Sequence, residues 1–119
     1  MKVRLWGVRG TTPTPERGNG RYGGNTSCVE VRLDNDTLII LDCGSGLRAL
    51  GKSILREYAD RTVQAHIFLT HFHWDHIQGI PFFLPLLERA TPSFSTPLCA
   101  EGPSYSKLSK ARWGIPTFR

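Results

Sequence analysis

The stretch T-H-F-H-W-D-H at residues 70–76 decides the fold, because it places three imidazoles and a carboxylate in six consecutive positions after an apolar run. Imidazole nitrogen and carboxylate oxygen are the donors that a zinc-like divalent ion accepts at about 2.0–2.2 Å. Side chains alternate along an extended strand, so His71, His73 and Asp75 would lie on one side, and His76 would begin the next element. The stretch therefore predicts a metal site.

The alternative interpretation is a group of histidines on a solvated polar loop. Shuffling this chain's own composition would produce the pattern H-x-H-x-D-H only about once in ten thousand trials, which favours the metal site. The remaining histidine, His66, stands alone in a strand-like run, and we interpret it as structural.

Length and composition indicate one globular domain of 119 residues, since single domains commonly run to about 100–150 residues. The chain has no apolar run of the about 18–20 residues that a membrane span needs, and its first residues lack the apolar core of a signal peptide. We therefore predict a cytoplasmic protein with no membrane segment. The cysteines are odd in number and irregularly spaced, which predicts reduced and mostly buried thiols at Cys28, Cys43 and Cys99.

The formal net charge is +5, and part of it lies near the N-terminus. Arg9, Arg17 and Arg21 are the candidates for contacting an anionic group, either in a small anionic substrate or in nucleic acid. The alternative, that these cations form an ordinary solvated surface, remains open.

Hydrophobic patterning predicts four strands and one long helix. The strands are expected at residues 2–8, 26–33, 37–42 and 63–70, and the helix at 47–58. The third strand is nearly all aliphatic, which predicts burial on both faces. Asp34-Asn35-Asp36 is typical of a hairpin turn.

Loops and breakers separate these elements. Residues 9–24 are rich in glycine and proline, which predicts a long loop without regular structure that lines a site. Pro81 and Pro85 exclude a long regular helix after the histidines. The less regular segment 91–119 is predicted to contain a connector at residues 91–97, a short strand at 98–100 and a short basic helix at 104–113.

A second motif competes for the function. Residues Gly46–Ser53 match the phosphate-binding pattern G-x-x-x-x-G-K-[ST] and follow a buried strand. Shuffling would give this pattern about once in two hundred trials, far more often than the histidine pattern. Its variable positions are helix formers, whereas a phosphate loop needs an open backbone. Nucleotide binding through Gly46–Ser53 is therefore the weaker hypothesis.

The histidine stretch resembles the signature of the metallo-β-lactamase superfamily of hydrolases. Asp42 with the following glycines is similar to that family's upstream Asp-x-Gly element. The segments at 7–10, 22–27 and Gln78-Gly79 are similar to its phosphodiesterase branch, which includes ribonuclease Z-like and cyclic-nucleotide phosphodiesterase-like members. The resemblance implies an α/β fold: the N-terminal half of an αβ/βα sandwich with a mixed sheet and flanking helices.

The resemblance also implies a hydrolase with two divalent metal ions, zinc or alternatively manganese or iron. Positions matching His71 and His73 bind one ion, and those matching Asp75 and His76 bind the second. A metal-bound hydroxide would then cleave a phosphodiester bond. We interpret Asp75 and Asp42 as the catalytic carboxylates, with Asp42 accepting a hydrogen bond from a ligand histidine or fixing the loop. The alternative for Asp42 is that it satisfies amides of its own turn.

The chain departs from this family pattern because it has no histidine after His76 and no aspartate after Asp75. In that family the remaining ligands come from a C-terminal half, so we expect residues 1–119 to be an incomplete domain. A hydrolase and a catalytically incompetent half-domain both remain open. The half-domain would bind metal weakly or assemble with another chain, a homodimer included.

Overall fold

The computed structural model describes residues 1–58 and 65–87, which are centred on a four-stranded sheet. The strands run in the order β1 (Lys2–Gly7), β2 (Cys28–Arg32), β3 (Leu38–Leu41) and β4 (Ala65–Phe68). β1 and β2 are antiparallel, as are β2 and β3, whereas β3 and β4 are parallel. The predicted mixed sheet is confirmed, and each strand lies inside its predicted range.

The turn between β2 and β3 is the predicted hairpin. The Leu33 N–H donates to the Thr37 carbonyl at 3.0 Å, and the Asp36 N–H donates to the Leu33 carbonyl at 3.1 Å. Asp36 has a φ of 63°, in the left-handed region that aspartate tolerates better than most residues. The turn composition therefore sets the antiparallel pairing of these two strands.

Helix α1 (Gly46–Glu57) connects the parallel strands β3 and β4 and covers one face of the sheet. Its apolar positions Leu47, Leu50 and Ile54 are fully buried at helical spacing. They join Leu38 and Ile40 of β3 in the core. Full burial of each such side chain stabilises the fold by roughly 1.5–3 kcal/mol, so this face holds the helix on the sheet.

The start of α1 is also where a phosphate loop would have to open, and the backbone there is already occupied. The Gly46 N–H donates to the Thr26 carbonyl at 3.3 Å, and the Leu47 N–H donates to the Gly44 carbonyl at 3.0 Å. Residues from Gly46 onward are helical. A phosphate nest needs free converging N–H groups, so the structure argues against nucleotide binding through Gly46–Ser53.

The other face of the sheet carries two rows of side chains that cross all four strands. One row joins Val3, Val31, Ile39 and His66, and the other joins Leu5, Val29, Leu41 and Phe68. None of the eight is buried, and Leu5 is 62% exposed. We call these two rows the open face. The prediction that β3 is buried on both faces is wrong, because α1 covers only one.

The chain after β4 forms short helical segments only. These are α2 (Trp74–Ile77), a 3₁₀ turn (Ile80–Phe82) and α3 (Leu84–Leu87). The two prolines limit their length as predicted, and the fully buried Phe83 between them packs against Gly51 of α1. Across 1–58 and 65–87, no helix combines the length and apolar character needed to cross a membrane.

The loop 9–24 is irregular apart from one 3₁₀ turn at Arg17–Asn19. Cys28 and Cys43 are free and buried, as predicted. Cys99, residues 63–64 of the predicted fourth strand, and the elements predicted between 91 and 119 lie outside the described residues.

Candidate metal centre

The histidine stretch begins where β4 ends, and only its first half is extended. His73 has φ −62° and ψ 148°, and α2 then begins at Trp74. Asp75 therefore lies on a helical turn and not, as we predicted, on the same extended side as His71 and His73. The error arose because strand alternation was continued past the residue where the helix starts.

The three imidazoles of the stretch nevertheless lie together. His71 Nε2 is 3.2 Å from His73 Nδ1, and the two rings meet edge to face with centroids 4.6 Å apart. The His76 ring centroid is 4.0 Å from that of His71. The turn of α2 brings the last histidine back over the first, and the rings form one cluster.

Asp75 connects this cluster to the loop 9–24. Its Oδ2 accepts a hydrogen bond from the Thr11 N–H at 2.9 Å and lies 3.4 Å from His76 Nε2. The Thr11 N–H is the largest influence holding the pKa of Asp75 below its ordinary value, and His76 and His73 act in the same direction. Asp75 therefore remains a carboxylate near neutral pH.

Asp42 lies behind the cluster at the end of β3. Its carboxylate accepts the Thr70 N–H at 2.8 Å and the Ser27 hydroxyl at 3.2 Å, and the Thr70 hydroxyl lies within 3.0 Å of both oxygens. The buried His76 Nδ1 is 2.9 Å from Asp42 Oδ2, although outside the direction of a well-formed hydrogen bond. Burial acts to raise the pKa of Asp42, but Thr70 and His76 outweigh it and the pKa is lowered.

This arrangement separates the two interpretations of Asp42. The amide that Asp42 satisfies belongs to Thr70, 28 residues away, and not to its own turn. The same carboxylate contacts a histidine of the motif. Asp42 therefore fixes the first residue of the histidine stretch to the end of β3.

Close backbone contacts hold the turn after β3 against α2. The Cys43 N–H donates to the His76 carbonyl at 2.7 Å, and the Gly79 N–H donates to the Cys43 carbonyl at 2.8 Å. A Cβ on Gly44 would lie 2.3 Å from the Asp75 carbonyl oxygen, and one on Gly79 would lie 2.0 Å from that of Gly44. Only glycine fits at these two positions, which explains both glycines next to the motif elements.

Two residues that sequence reasoning did not select, Thr26 and Thr11, organise the site. Thr26 is fully buried, and its Oγ1 accepts the Ser45 N–H at 2.8 Å and the Gln78 side-chain amide at 3.0 Å. Thr11 contacts Asp75 through its backbone, which no side-chain pattern could reveal. Thr26 lies in the segment 22–27 that carries the family resemblance, but no pattern in the sequence marks its hydroxyl as buried.

The donor types at this centre fit a divalent cation of the zinc kind. As placed, however, no three His, Cys, Asp or Glu side chains within 1–58 and 65–87 present donors to one common point. His71 and His73 contact each other, and Asp75 is occupied on one oxygen by Thr11. The four motif side chains as placed therefore do not form the set of three or four protein ligands that zinc normally takes.

Comparisons with known proteins agree with this chemistry. The Metallo-beta-lactamase superfamily profile matches residues 21–107, which is more than half of the chain. Ribonuclease Z of Haloarcula marismortui is 37% identical over 99% of this chain and 35% of its own length. Zinc phosphodiesterase ELAC protein 2 of Homo sapiens is 37% identical over 62% of this chain and 9% of its own length.

A further relative, ribonuclease Z of Methanosarcina mazei, is 31% identical over 90% of this chain and 31% of its own length. The chain thus spans about a third or less of the length of these three relatives. No solved structure matches it. The family match covers the sheet from β2 onward together with the whole histidine cluster, and the chain therefore belongs to the metallo-β-lactamase superfamily.

Proposed function

We propose that this polypeptide is part of a metal-dependent hydrolase that cleaves phosphodiester bonds, with RNA as the substrate class. The observation that carries the proposal is the cluster of His71, His73 and His76, with Asp75 beside it and Asp42 behind it. Support for the substrate class comes from the relatives, which are named as ribonucleases and as a zinc phosphodiesterase.

The four motif residues would hold two divalent ions in pairs, His71 with His73 and Asp75 with His76. Zinc suits imidazole and carboxylate donors, and manganese or iron are alternatives. When bound, the ions would activate water and stabilise negative charge on a phosphoryl oxygen. A complete coordination shell needs donors in addition to these four side chains.

Asp42 would act through His76 and not on the substrate. Its contact with His76 Nδ1 at 2.9 Å restricts the orientation of that ring. Partners of this kind typically change metal affinity by about 10–100-fold. Thr70, just after β4, donates both its N–H and its hydroxyl to Asp42. These hydrogen bonds fix the Asp42 carboxylate, which in turn restricts the orientation of the His76 ring.

An anionic substrate would meet the cations of the loop 9–24. Arg9, Arg17 and Arg21 belong to this loop, and its residue Thr11 contacts Asp75 directly. Guanidinium groups bind phosphate oxygens in a planar, two-pronged geometry. The formal net charge of +5 favours the approach of a polyanion to the same surface.

The open face favours a second candidate, in which the chain is a half-domain that assembles with another polypeptide. Four strands of this length give a face of roughly 300 Å² in plan, from the about 4.8 Å strand spacing. A stable specific interface needs about 800 Å² per partner. Stacking of two copies through this face alone would therefore be weak, and a strong complex would need a partner that also contacts the rim.

Metal binding tests the first proposal. We expect Zn²⁺ or Co²⁺ to bind the wild-type chain in equilibrium dialysis, and His73→Ala or Asp75→Ala to lower the amount bound, because each variant removes one ligand of one pair. His66→Ala is the matched control, because His66 lies on the open face, and it should bind metal as the wild type does. Unchanged binding in the motif variants would overturn the proposal.

Hydrolysis and assembly separate the two candidates. A hydrolase competent by itself would hold two ions per chain and cleave a chromogenic phosphodiester, and both properties together would rule out the half-domain. The half-domain instead predicts weak association of the chain, visible in sedimentation experiments only at high protein concentration and reversed by Leu5→Lys on the open face. Val8→Lys is the matched control, because Val8 is 47% exposed but lies outside the four strands.

A further inference from the structure

Thr11 has a backbone conformation that its side chain disfavours. Its φ is 69°, and the other non-glycine residues with positive φ in 1–58 and 65–87 are Asp36 and Asp42. Aspartate tolerates this left-handed region, whereas a β-branched residue there is a genuine outlier. Such outliers persist where surrounding contacts enforce them, and they cluster at functional sites.

The contact that Thr11 makes in this conformation is with the metal motif. Its backbone N–H donates to Asp75 Oδ2 at 2.9 Å, across 64 residues of sequence. The Thr11 residue itself is exposed, so burial of its own side chain does not explain the strained backbone. The strained φ instead aims the N–H at the carboxylate.

Hydrogen bonds within the loop 9–24 connect its two arms, so the loop residues after Thr11 are held relative to one another. The Thr14 N–H donates to the Gly24 carbonyl at 3.0 Å, and the Gly23 N–H donates to the Asn19 carbonyl at 2.7 Å. The Asn19 side chain donates to the Thr14 carbonyl at 3.2 Å. These bonds join the two arms of the loop, and the contact with Asp75 anchors one end of it.

We propose that Thr11 is a positioning residue whose backbone N–H fixes the Asp75 carboxylate and latches the loop 9–24 onto the metal motif. Oδ2, the oxygen that the Thr11 N–H holds, also lies 3.4 Å from His76 Nε2, so the latch orients the carboxylate relative to that ring. The latch is a contact within the polypeptide itself, and only its effect on metal binding rests on the proposed function.

Amide hydrogen exchange of the metal-free protein, followed by NMR, tests the latch directly. The Thr11 amide should exchange at least about tenfold more slowly in the wild type than in Asp75→Ala. The Asp36 amide, bonded to the Leu33 carbonyl in the distant hairpin, is the internal control and should not change. Equal Thr11 rates in the two proteins would overturn the proposal. If Asp75→Ala does not fold, Asp75→Asn replaces it, with faster Thr11 exchange expected because a neutral amide oxygen accepts more weakly.

Cobalt binding tests whether the latch positions the carboxylate. Thr11→Pro removes the N–H and also the left-handed backbone that aims it, because proline fixes φ at about −65°. It should therefore weaken Co²⁺ binding by about tenfold or more and change the Co²⁺ absorption spectrum. Thr11→Gly keeps the N–H and the left-handed backbone, so its spectrum should match the wild type. Glu16→Pro is the matched control in the same loop, because Glu16 already has a φ of −64°.

The Co²⁺ experiments and the hydrogen-exchange experiment test the positioning role, the proposed function and the latch through different outcomes. A Thr11→Pro protein with wild-type Co²⁺ affinity and spectrum would overturn the positioning role. A wild-type protein that binds no Co²⁺ would contradict the proposed function, while the exchange experiment would still decide whether the latch exists.

Discussion

Replacing Asp42 should distinguish two contributions to the free energy of unfolding at the end of β3: the hydrogen bonds of the carboxylate and the strain of the left-handed backbone. Asp42 is 5% exposed and has a φ of 61°. It accepts two donors from Thr70 and one from Ser27. A hydrogen bond to a charged group contributes about 1.5–3 kcal/mol, and bonds that share one acceptor do not add fully. We therefore expect Asp42→Ala to lower the free energy of unfolding by about 3–5 kcal/mol, because alanine keeps the Cβ in the left-handed region and removes only the hydrogen-bond acceptors.

Two further variants show how much of the lost free energy of unfolding comes from the backbone conformation and how much from the hydrogen bonds. Asp42→Gly removes the same hydrogen bonds but tolerates the left-handed backbone, so it should be about 1 kcal/mol less destabilised than Asp42→Ala. Asp42→Asn keeps the shape and one acceptor oxygen for the Thr70 N–H, and it should lose about 1–2 kcal/mol. Urea unfolding of the metal-free proteins, followed by circular dichroism, measures all three differences.

The lowered pKa of Asp42 gives the same experiment a pH dependence. Because the folded pKa lies below the value of about 3.9 in the unfolded chain, the ionised carboxylate stabilises the fold above about pH 4. This contribution is lost as the pH falls through the folded pKa. The difference between wild type and Asp42→Asn should thus be constant from about pH 7 to about pH 5 and should shrink below about pH 4. A difference that stays constant to about pH 3, or an Asp42→Ala protein within about 0.5 kcal/mol of wild type, would refute the reasoning.

Two other predictions concern the surroundings of the site. Gly7→Ala should destabilise the fold by about 3 kcal/mol in urea unfolding, because its Cβ would lie 1.8 Å from the Thr26 carbonyl oxygen. Gly10→Ala, whose Cβ meets no atom within 4 Å, should stay within about 0.5 kcal/mol of wild type. In a Cys99→Ser background, Cys28 and Cys43 should resist a thiol-disulfide reagent at about pH 8 until the protein is unfolded, because the thiolate is the reactive form. Burial raises the pKa of Cys43 to about 12 and that of Cys28 further. Rapid reaction of the native protein would contradict the buried positions of both thiols.

Local sequence patterns predicted the regular elements well. Alternation and aliphatic runs placed β1 to β3, and apolar residues at helical spacing placed α1 within one residue at each end. The turn residues Asp34-Asn35-Asp36 predicted the hairpin for the same reason. These features depend on neighbours in the chain, so the sequence carries them directly.

The predictions that failed depend on what covers or interrupts an element. The aliphatic β3 is buried on one face only, because a run of aliphatic residues does not show which layer lies above it. Asp75 does not lie on the predicted side of an extended strand, because α2 begins one residue before it. A pattern of period two cannot mark the residue at which a helix starts.

The sequence by itself predicted the candidate donor set, because three imidazoles and a carboxylate at this close spacing are typical of a metal site. Tertiary structure alone decided how those donors are held. Thr70 and Asp42 meet across 28 residues and Thr11 and Asp75 across 64, through backbone groups that every residue type shares. A side-chain pattern can predict the candidate ligands of a metal centre, whereas the backbone contacts that orient these side chains exist only once the strands and loops have packed.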